Sequence, residues 1–272
     1  MSSILTNNGA IVALQTLKNV NSNLNKAQSE IATGLRVASA KDNSSSWAIA
    51  STMNSDVQAL KTLGNSLTSA GAMVGTARDA TEQVADLVKQ IQSRVVQAQN
   101  PDADVTKLTA EVTALAGTIT SIAGSAQYNG INLVNTGSTA ETITVGITRS
   151  AAGAVASQTF STGVADLAAV ATAITGITDI SAAGALDTID TQLDAVNTAA
   201  ATFGAAQARI EAQANFVTKQ ADSLTRGVSA LVDADMEEAS ARLQALQTQQ
   251  QLGVQALSIA NQSPSAILSL FR

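Results

Sequence analysis

Apolar and small residues recur at alternating intervals of four and three through the C-terminal stretch, residues 239–272. This heptad spacing predicts a helix that lies along other helices. No residue from Leu243 to Phe271 is charged, yet glutamines interrupt the stretch too often for a bilayer span. A helix that is apolar on one side and uncharged on the other is expected to be buried in protein on all sides. Its candidate contact residues are Leu243, Leu246, Leu257, Ala260, Ile267 and Phe271.

The N-terminal stretch, residues 1–35, mirrors this pattern. No residue before Lys18 is charged, and Gly34 is expected to end the helix. This helix is therefore the expected partner of the C-terminal one. Its heptad positions are Ala10, Leu14, Leu17, Asn21, Leu24, Gln28, Ile31 and Leu35.

The most regular heptad pattern in the chain begins at Leu60 and continues to Ala98. At 1.5 Å per residue it predicts a rod of roughly 60 Å, typical of a coiled coil or long bundle. The glycines at positions 64, 71 and 75 are expected to allow close helix approach. Pro101 predicts a stop, after which Asp102 or Asp104 caps a third helix that runs antiparallel to the second.

Residues 127–134 contain an Asn-Gly turn between short apolar pieces, which predicts a hairpin. Beyond it, residues 142–148 and 155–162 alternate like strands, and residues 164–175 favour a helix. A last long helix begins near Leu186, and its register breaks at residues 232–235.

The fold class predicted is mainly α: a long antiparallel coiled coil or helix bundle with terminal helices and a small α/β insertion. The predicted segments are a terminal helix 1–35, a connector 36–56, rod helices and a hairpin 57–136, a surface-exposed insertion 137–185, a rod helix 186–231, a connector 232–238 and a terminal helix 239–272.

Composition excludes several function classes. The chain has no His and no Cys, which excludes His/Cys zinc sites, disulfides, thiol nucleophiles and Ser-His-Asp triads. The net charge is −6, and residues 137–200 hold one basic residue against six acidic ones. An acidic chain without a basic face is a poor nucleic-acid ligand. The first residues lack the basic start and apolar core of a secretory signal peptide.

Several short motifs, in this order along the chain, resemble those of bacterial flagellin, the subunit of the flagellar filament. The resemblance covers about residues 1–136 and 200–272. The motifs are Ala13-Leu14-Gln15, Thr33-Gly34-Leu35-Arg36-Val37, Ser39-Ala40-Lys41-Asp42-Asn43, Gln127-Tyr128-Asn129-Gly130-Ile131-Asn132-Leu133, Gln207-Ala208-Arg209-Ile210-Glu211, Asp233-Ala234-Asp235-Met236-Glu237-Glu238 and Ala260-Asn261-Gln262-Ser263-Pro264.

The resemblance implies a structural protein that self-assembles for swimming motility. Its termini would be disordered in the free subunit and fold into helices at the filament core. The middle helices would form an outer tube, and the insertion would decorate the surface of an extracellular filament. The implied partners are other copies of the chain, the flagellar type III export apparatus, a secretion chaperone, and filament cap and junction proteins. No cofactor, metal, nucleic acid or membrane insertion is implied, and no enzymatic activity.

The heptad residues of the two terminal helices named above, apart from the polar Asn21 and Gln28, are the predicted self-assembly interface. Trp47 is either an interface anchor or a local cover for its connector. The acidic cluster around Asp235 is either a calcium site or a capped, solvated helix restart, and the restart is favoured. The candidate intersubunit contacts in the connectors are Arg36, Lys41, Asp42, Trp47, Asp233 and Asp235.

Two other functions fit the pattern. A hook–filament junction protein would share the terminal helices, and a secreted effector or adhesin could also contain coiled coils. An enzyme would need a catalytic constellation, and the sequence offers none.

Overall fold

The computed structural model describes residues 7–150 and 153–269, with side chains as far as residue 262. The chain divides into two compact units, one made of residues 1–56 and 223–272 and the other of residues 57–222. Among the residues described, no helix combines the length and the hydropathy of a transmembrane span. The fold is mainly α with a small α/β insertion, as predicted.

The first unit contains both terminal helices, α1 (Asn8–Thr33) and α6 (Met236–Ser269). Asn7 caps α1, because its Oδ1 accepts a hydrogen bond from the backbone N–H of Ala10 at 3.1 Å. The helix ends at Gly34, which has a φ of 71° and donates its N–H to the carbonyl of Glu30. This left-handed conformation confirms the stop predicted at Gly34.

Two further helices enter this unit, α2 (Ser44–Ala98) and α5 (Ala183–Val232). Helix α2 begins inside the predicted connector 36–56, so residues 44–56 are helical. Two local causes explain the early start. The side chain of Asn43 accepts the N–H of Ser46 at 3.1 Å, and Ala50 is buried against Val228 and Val232. The register break predicted at residues 232–235 is confirmed, because α5 ends at Val232 and α6 starts four residues later.

The second unit contains the heptad residues of α2, which are buried as predicted. Helix α3 (Val105–Ser125) follows, capped by Asp104 and not Asp102. Arg94 of α2 pairs with Glu111 of α3 at 3.0 Å across the short connection, so the two helices are antiparallel. The buried heptad side chains of α2 are Leu60, Leu63, Leu67, Val74, Val84, Val88, Ile91 and Val95.

Helix α5 runs antiparallel to α2 within this unit. Arg78 donates to the side chain of Gln207 at 2.9 Å, and farther along α2 Gln92 bonds Asp190. The side chains of Phe203 and Ile210 are fully buried. Close approach of the helices does not require glycine at Gly64 or Gly71. A Cβ built on Gly71 would lie 3.7 Å from Ile210, an ordinary contact, and a Cβ built on Gly64 would have no neighbour within 4 Å.

The strands follow α3 and match the predicted positions. Strands β1 (Gln127–Tyr128) and β2 (Ile131–Asn132) form a tight hairpin whose turn residues, Asn129 and Gly130, both have positive φ. Strands β3 (Thr142–Arg149) and β4 (Val155–Ser161) pair antiparallel with an irregularity between Thr144 and Gly146. Helix α4 (Leu167–Thr175) then packs against α3.

Candidate assembly interface

The two terminal helices form an antiparallel pair held in register by polar contacts. Near one end, Asn7 donates from Nδ2 to the carbonyl of Ala260 at 2.7 Å. Near the middle, Gln250 donates from Nε2 to Oδ1 of Asn21 at 2.8 Å. These bonds cross between helices whose ends are far apart in sequence, so they fix the alignment of the pair.

The two helices approach each other closely at Gly253. A Cβ built on this glycine would lie 3.2 Å from Cδ1 of Leu17. Farther toward the connectors, Leu24, Ala27 and Leu246 form a small buried core, with Val20 and Leu243 packed against it. Small residues such as Ala10, Gly253 and Ala260 allow the backbones to approach, while leucines such as Leu24 and Leu246 contribute the buried apolar area of the pair.

The predicted contact residues of α6 all face α1 as far as they are described. Leu246 is buried and the others are half-buried. The set comprises Leu243, Leu246, Leu257 and Ala260. Ile267 lies in α6 beyond the last described side chain, and Phe271 lies outside the described residues.

The inner face of α1 follows a different heptad frame from the predicted one. The two frames share Ala10, Leu17, Leu24 and Ile31, all of which are buried or half-buried. Between these, Leu14 and Gln28 are exposed and do not lie on the face toward α6, so the role of Leu14 in self-assembly stays a prediction. Neighbouring alanines lie on the inner face in their places. For Gln28 the reason is that its amide would have to be desolvated there. The substitutes are Ala13 for Leu14 and Ala27 for Gln28, and Val20 is half-buried beside the half-buried Asn21.

Several large apolar residues of the terminal helices are exposed, and only Leu14 among them was predicted to take part in assembly. Ile259 is 69% exposed and Val12 is 62% exposed, although both are large aliphatic residues. Scattered apolar residues are normal on surfaces, but these lie on stretches that carry no charge. We call this set the outer apolar residues: Ile11, Val12, Leu14, Leu252, Val254 and Ile259.

The connectors next to the pair bind each other through their backbones. Arg36 donates its N–H to the carbonyl of Val232 at 2.7 Å, and Ala234 donates to the carbonyl of Gly34 at 2.9 Å. The Arg36 guanidinium also donates to the carbonyl of Leu231 at 3.1 Å. Leu35 packs on the buried cluster that contains Val37. Arg36 thus has contacts within its own chain.

The two acidic connector residues, Asp233 and Asp235, form local hydrogen bonds at helix ends. Asp235 accepts the N–H groups of Glu237 and Glu238 at 3.0 and 3.2 Å, so it caps α6. Asp233 is exposed, and its N–H donates to the carbonyl of Ser229 at 2.9 Å, which continues the helical hydrogen bonding at the end of α5. Among the described residues, no group of three or more acidic side chains has the geometry of a metal site.

The loop before α2 is ordered by Asp42. The Ser39 hydroxyl donates to its carboxylate at 2.9 Å and the Ser39 N–H at 3.0 Å, and these bonds lower the pKa of Asp42 below its ordinary value. Lys41 is exposed beside it, and Trp47 is 41% exposed at the start of α2. Lys41 and Trp47 therefore remain accessible to another chain.

One carboxylate is buried at the base of the pair. Glu30 is 7% exposed on the inner face of α1, 4.0 Å from the ammonium of Lys26 one turn earlier. On α6, Arg242 is held at 2.6 Å by Glu238. Apart from Lys18 near the middle of α1, the charged residues of the pair lie toward the connectors, and the rest of the pair is uncharged.

Comparison with known proteins identifies the same two regions. The family model described as bacterial flagellin N-terminal helical region matches residues 4–140, and that of the bacterial flagellin C-terminal helical region matches residues 186–271. A flagellin of Brucella melitensis is 41% identical over the whole of both chains. Flagellin C of Rhizobium meliloti is 37% identical, also over both chains in full, and flagellin FljO of Caulobacter vibrioides is 36% identical over 99% of its length.

A solved structure also resembles the chain. The crystal structure of Bacillus cereus flagellin superposes with a TM-score of 0.46 at 21% identity, and covers 59% of this chain and 93% of the other. The region between the two family matches, residues 141–185, contains β3, β4 and α4.

Proposed function

Because this chain belongs to the bacterial flagellin family, we propose that it polymerises through the outward surface of its paired terminal helices, α1 and α6. The family is one of structural proteins, and the chain is a subunit of the flagellar filament. What the family does not specify is which side chains hold neighbouring copies together.

The observation that carries this proposal is the exposure of the outer apolar residues, which lie on uncharged stretches of α1 and α6. Ile259 and Leu252 lie four and three residues from Gln255 on the same helix, and 69% and 58% of their surfaces are in contact with water. Burying one such side chain against a neighbour contributes about 1–2 kcal/mol. Repeated over every subunit of a lattice, this term favours the polymer.

The polar residues between them support the same function. The exposed glutamines of α6, such as Gln251 and Gln255, can donate to and accept from lateral neighbours without the cost of burying a charge. A head-to-tail contact between different surfaces of identical subunits generates a helical polymer where the rotation between copies does not close a ring.

The heptad residues of the terminal helices would take part in assembly through the pair they form. In this proposal α1 and α6, within segments 1–35 and 239–272, form the filament core. Segments 57–136 and 186–231 form an outer layer, and 137–185 lies on the surface. The connectors 36–56 and 232–238 join them, and the exposed Lys41 and Trp47 contact neighbouring subunits there.

The remaining partners follow from the family resemblance. We expect export by the flagellar type III apparatus with a secretion chaperone, and extracellular assembly between a junction protein at the base and a cap at the tip.

A pair of neighbouring substitutions on α6 tests the proposal. Ile259→Gln removes an outer apolar residue, while Ser258→Gln introduces the same side chain at an exposed polar position. We expect seeded growth from purified subunits, measured by sedimentation and electron microscopy, to be lost or strongly slowed for I259Q and retained for S258Q. Normal growth of I259Q and of a V12Q/I259Q double variant would contradict the proposal.

A second measurement addresses folding of the terminal helices on assembly. Helical content, followed by circular dichroism, should rise as seeded filaments grow. An unchanged spectrum during growth would show that the pair is already folded in the free subunit.

A further inference from the structure

A groove of about 600 Å³ opens on the surface of the unit formed by residues 57–222. It is bounded by α2, by the turn between β1 and β2, and by β3. Its floor is apolar, because Leu63, Ala70, Met73 and Ile143 are buried there. Nothing in the proposed function uses this groove.

The groove contains one charge. Among the described residues that line it, Glu141 is the only acidic or basic one, and it is half-buried. No ion pair to its carboxylate is formed within the described part of the chain. The rim hydroxyls of Thr62 and Ser66 donate to carbonyls one turn back on α2. The groove therefore suits a segment of neutral side chains that has a single basic residue placed to reach Glu141.

The hairpin of β3 and β4 has this composition. Strand β4 is uncharged and exposed on nearly all of its length, and Val155 at its start is 58% exposed. In the described part of the chain β4 pairs with β3 alone, so its second edge offers free backbone groups. Arg149, at the end of β3, is the one basic residue between Lys107 and Arg209.

The hairpin cannot fill the groove of its own chain. Strand β3 is a wall of that groove, and Glu141 and Arg149 stand at its opposite ends. Eight residues of extended strand separate them by about 26 Å, far beyond the reach of an ion pair. The charge of Glu141 can therefore meet an Arg149 only on another copy.

We propose that the groove receives the β3–β4 hairpin of a second copy of this chain. Val155 and its neighbours on β4 lie over the apolar floor, and Arg149 of one copy pairs with Glu141 of the next. The inference rests on the proposed function, because it places this contact within the polymer. The groove of one copy receives β4 of another, so the contact is head-to-tail and can repeat from copy to copy in an open polymer.

A charge exchange tests the ion pair. We expect E141R and R149E each to raise the critical concentration for seeded growth about fivefold, because like charges then face each other. The double variant E141R/R149E restores the pair in reverse and should return the critical concentration to within about twofold of wild type. Circular dichroism of each variant before seeding checks that the subunit is folded.

The outcomes separate this inference from the proposed function. Unchanged growth of both single variants, or a double variant as impaired as the worse single one, would overturn the groove contact while filaments still form through α1 and α6. Failure of the wild-type subunit to form filaments at all would overturn the proposed function and the contact with it.

Crosslinking tests the contact independently of charge. The chain has no cysteine, so introduced thiols react without background. Subunits carrying S66C in the groove rim and subunits carrying V155C on β4 are mixed, polymerised and mildly oxidised. We expect covalent dimers on a denaturing gel from the mixed filaments and none from filaments of S66C alone.

A matched control uses S121C on α3. Ser121, like Ser66, is exposed and donates its hydroxyl to a carbonyl one turn back. Filaments of S121C mixed with V155C should give no dimer. Equal dimer yields from S66C and S121C, or none from the S66C mixture, would overturn the proposed contact.

Discussion

Gln250 of α6 donates a hydrogen bond from Nε2 to Oδ1 of Asn21 on α1, 2.8 Å away, across a pair that is otherwise mostly apolar. Both side chains are half-buried. Shifting either helix by one residue would leave both amides without this partner, so the bond specifies the register of the pair.

We therefore expect N21A and Q250A each to cost about 1 kcal/mol, since each leaves a partly buried amide unsatisfied. The double variant should cost little more than either single one, because the bond is lost only once. The measurement is the temperature at which filaments depolymerise. Strictly additive shifts would show that the two residues do not act on each other.

The end of α1 depends on the backbone conformation of Gly34, whose φ is 71°. A Cβ there would meet nothing within 4 Å, so any cost of G34A is backbone strain and not a clash. We expect a loss of about 1–2 kcal/mol in the stability of the assembled pair, measured by thermal melting of filaments.

Gly117 provides the matched control. It lies inside α3, where a Cβ also has open space but the backbone is right-handed. Alanine at this position should stabilise the unit by up to about 1 kcal/mol through helix propensity. A similar effect of both alanines would show that the conformation at Gly34 is not what limits the helix.

The sequence predicted the helices and strands well because their patterns are local. Thr142 and Thr144 alternate with Ile143 and Val145, and the structure buries the second pair. The sequence alone could not show that Asp104 rather than Asp102 caps α3, since either aspartate fits the spacing. That choice depends on where the chain leaves the preceding turn.

The candidate interface was predicted less completely. A heptad that passes through Leu17 and Leu24 can continue through Leu14 or through Ala13, and both frames satisfy the spacing. The structure selects Ala13, because the close approach of Gly253 to Leu17 favours small residues at the contact. Periodicity in one helix also cannot say which of two apolar faces is used within the chain, so Ile259 was missed.

Two glycines of the second unit should respond oppositely to alanine. At Gly71 the new Cβ would lie 3.7 Å from Cγ2 of Ile210, an ordinary contact, so G71A should stabilise by up to about 1 kcal/mol. At Gly163 it would lie 2.7 Å from Cγ2 of Thr202, a β-branched side chain that moves little. G163A should therefore cost about 1–3 kcal/mol.

Urea unfolding of the unassembled subunit, followed by circular dichroism, measures both effects. A G71A variant that is less stable than G163A would contradict this prediction, and would show that Gly71 is packed more tightly than its distance to Ile210 indicates.

The cap of α3 should make stability depend on pH. Lys107 donates to the Asp104 carboxylate from its ammonium at 2.8 Å and from its backbone N–H at 3.2 Å. These bonds lower the pKa of Asp104 below its ordinary value of 3.8. A carboxyl group with a lowered pKa in the folded state stabilises the fold above its unfolded pKa, and this contribution is lost as pH falls through the folded pKa.

The free energy of unfolding of wild type should thus exceed that of D104A near neutral pH. The difference should be constant down to about pH 4 and shrink below it. D104N is the control, because its amide oxygen can still accept the backbone N–H of Lys107 but carries no charge. The difference between D104N and D104A should not change over the same range. A difference between wild type and D104A that stays constant from pH 6 to about pH 2 would show that the carboxylate charge does not stabilise this cap.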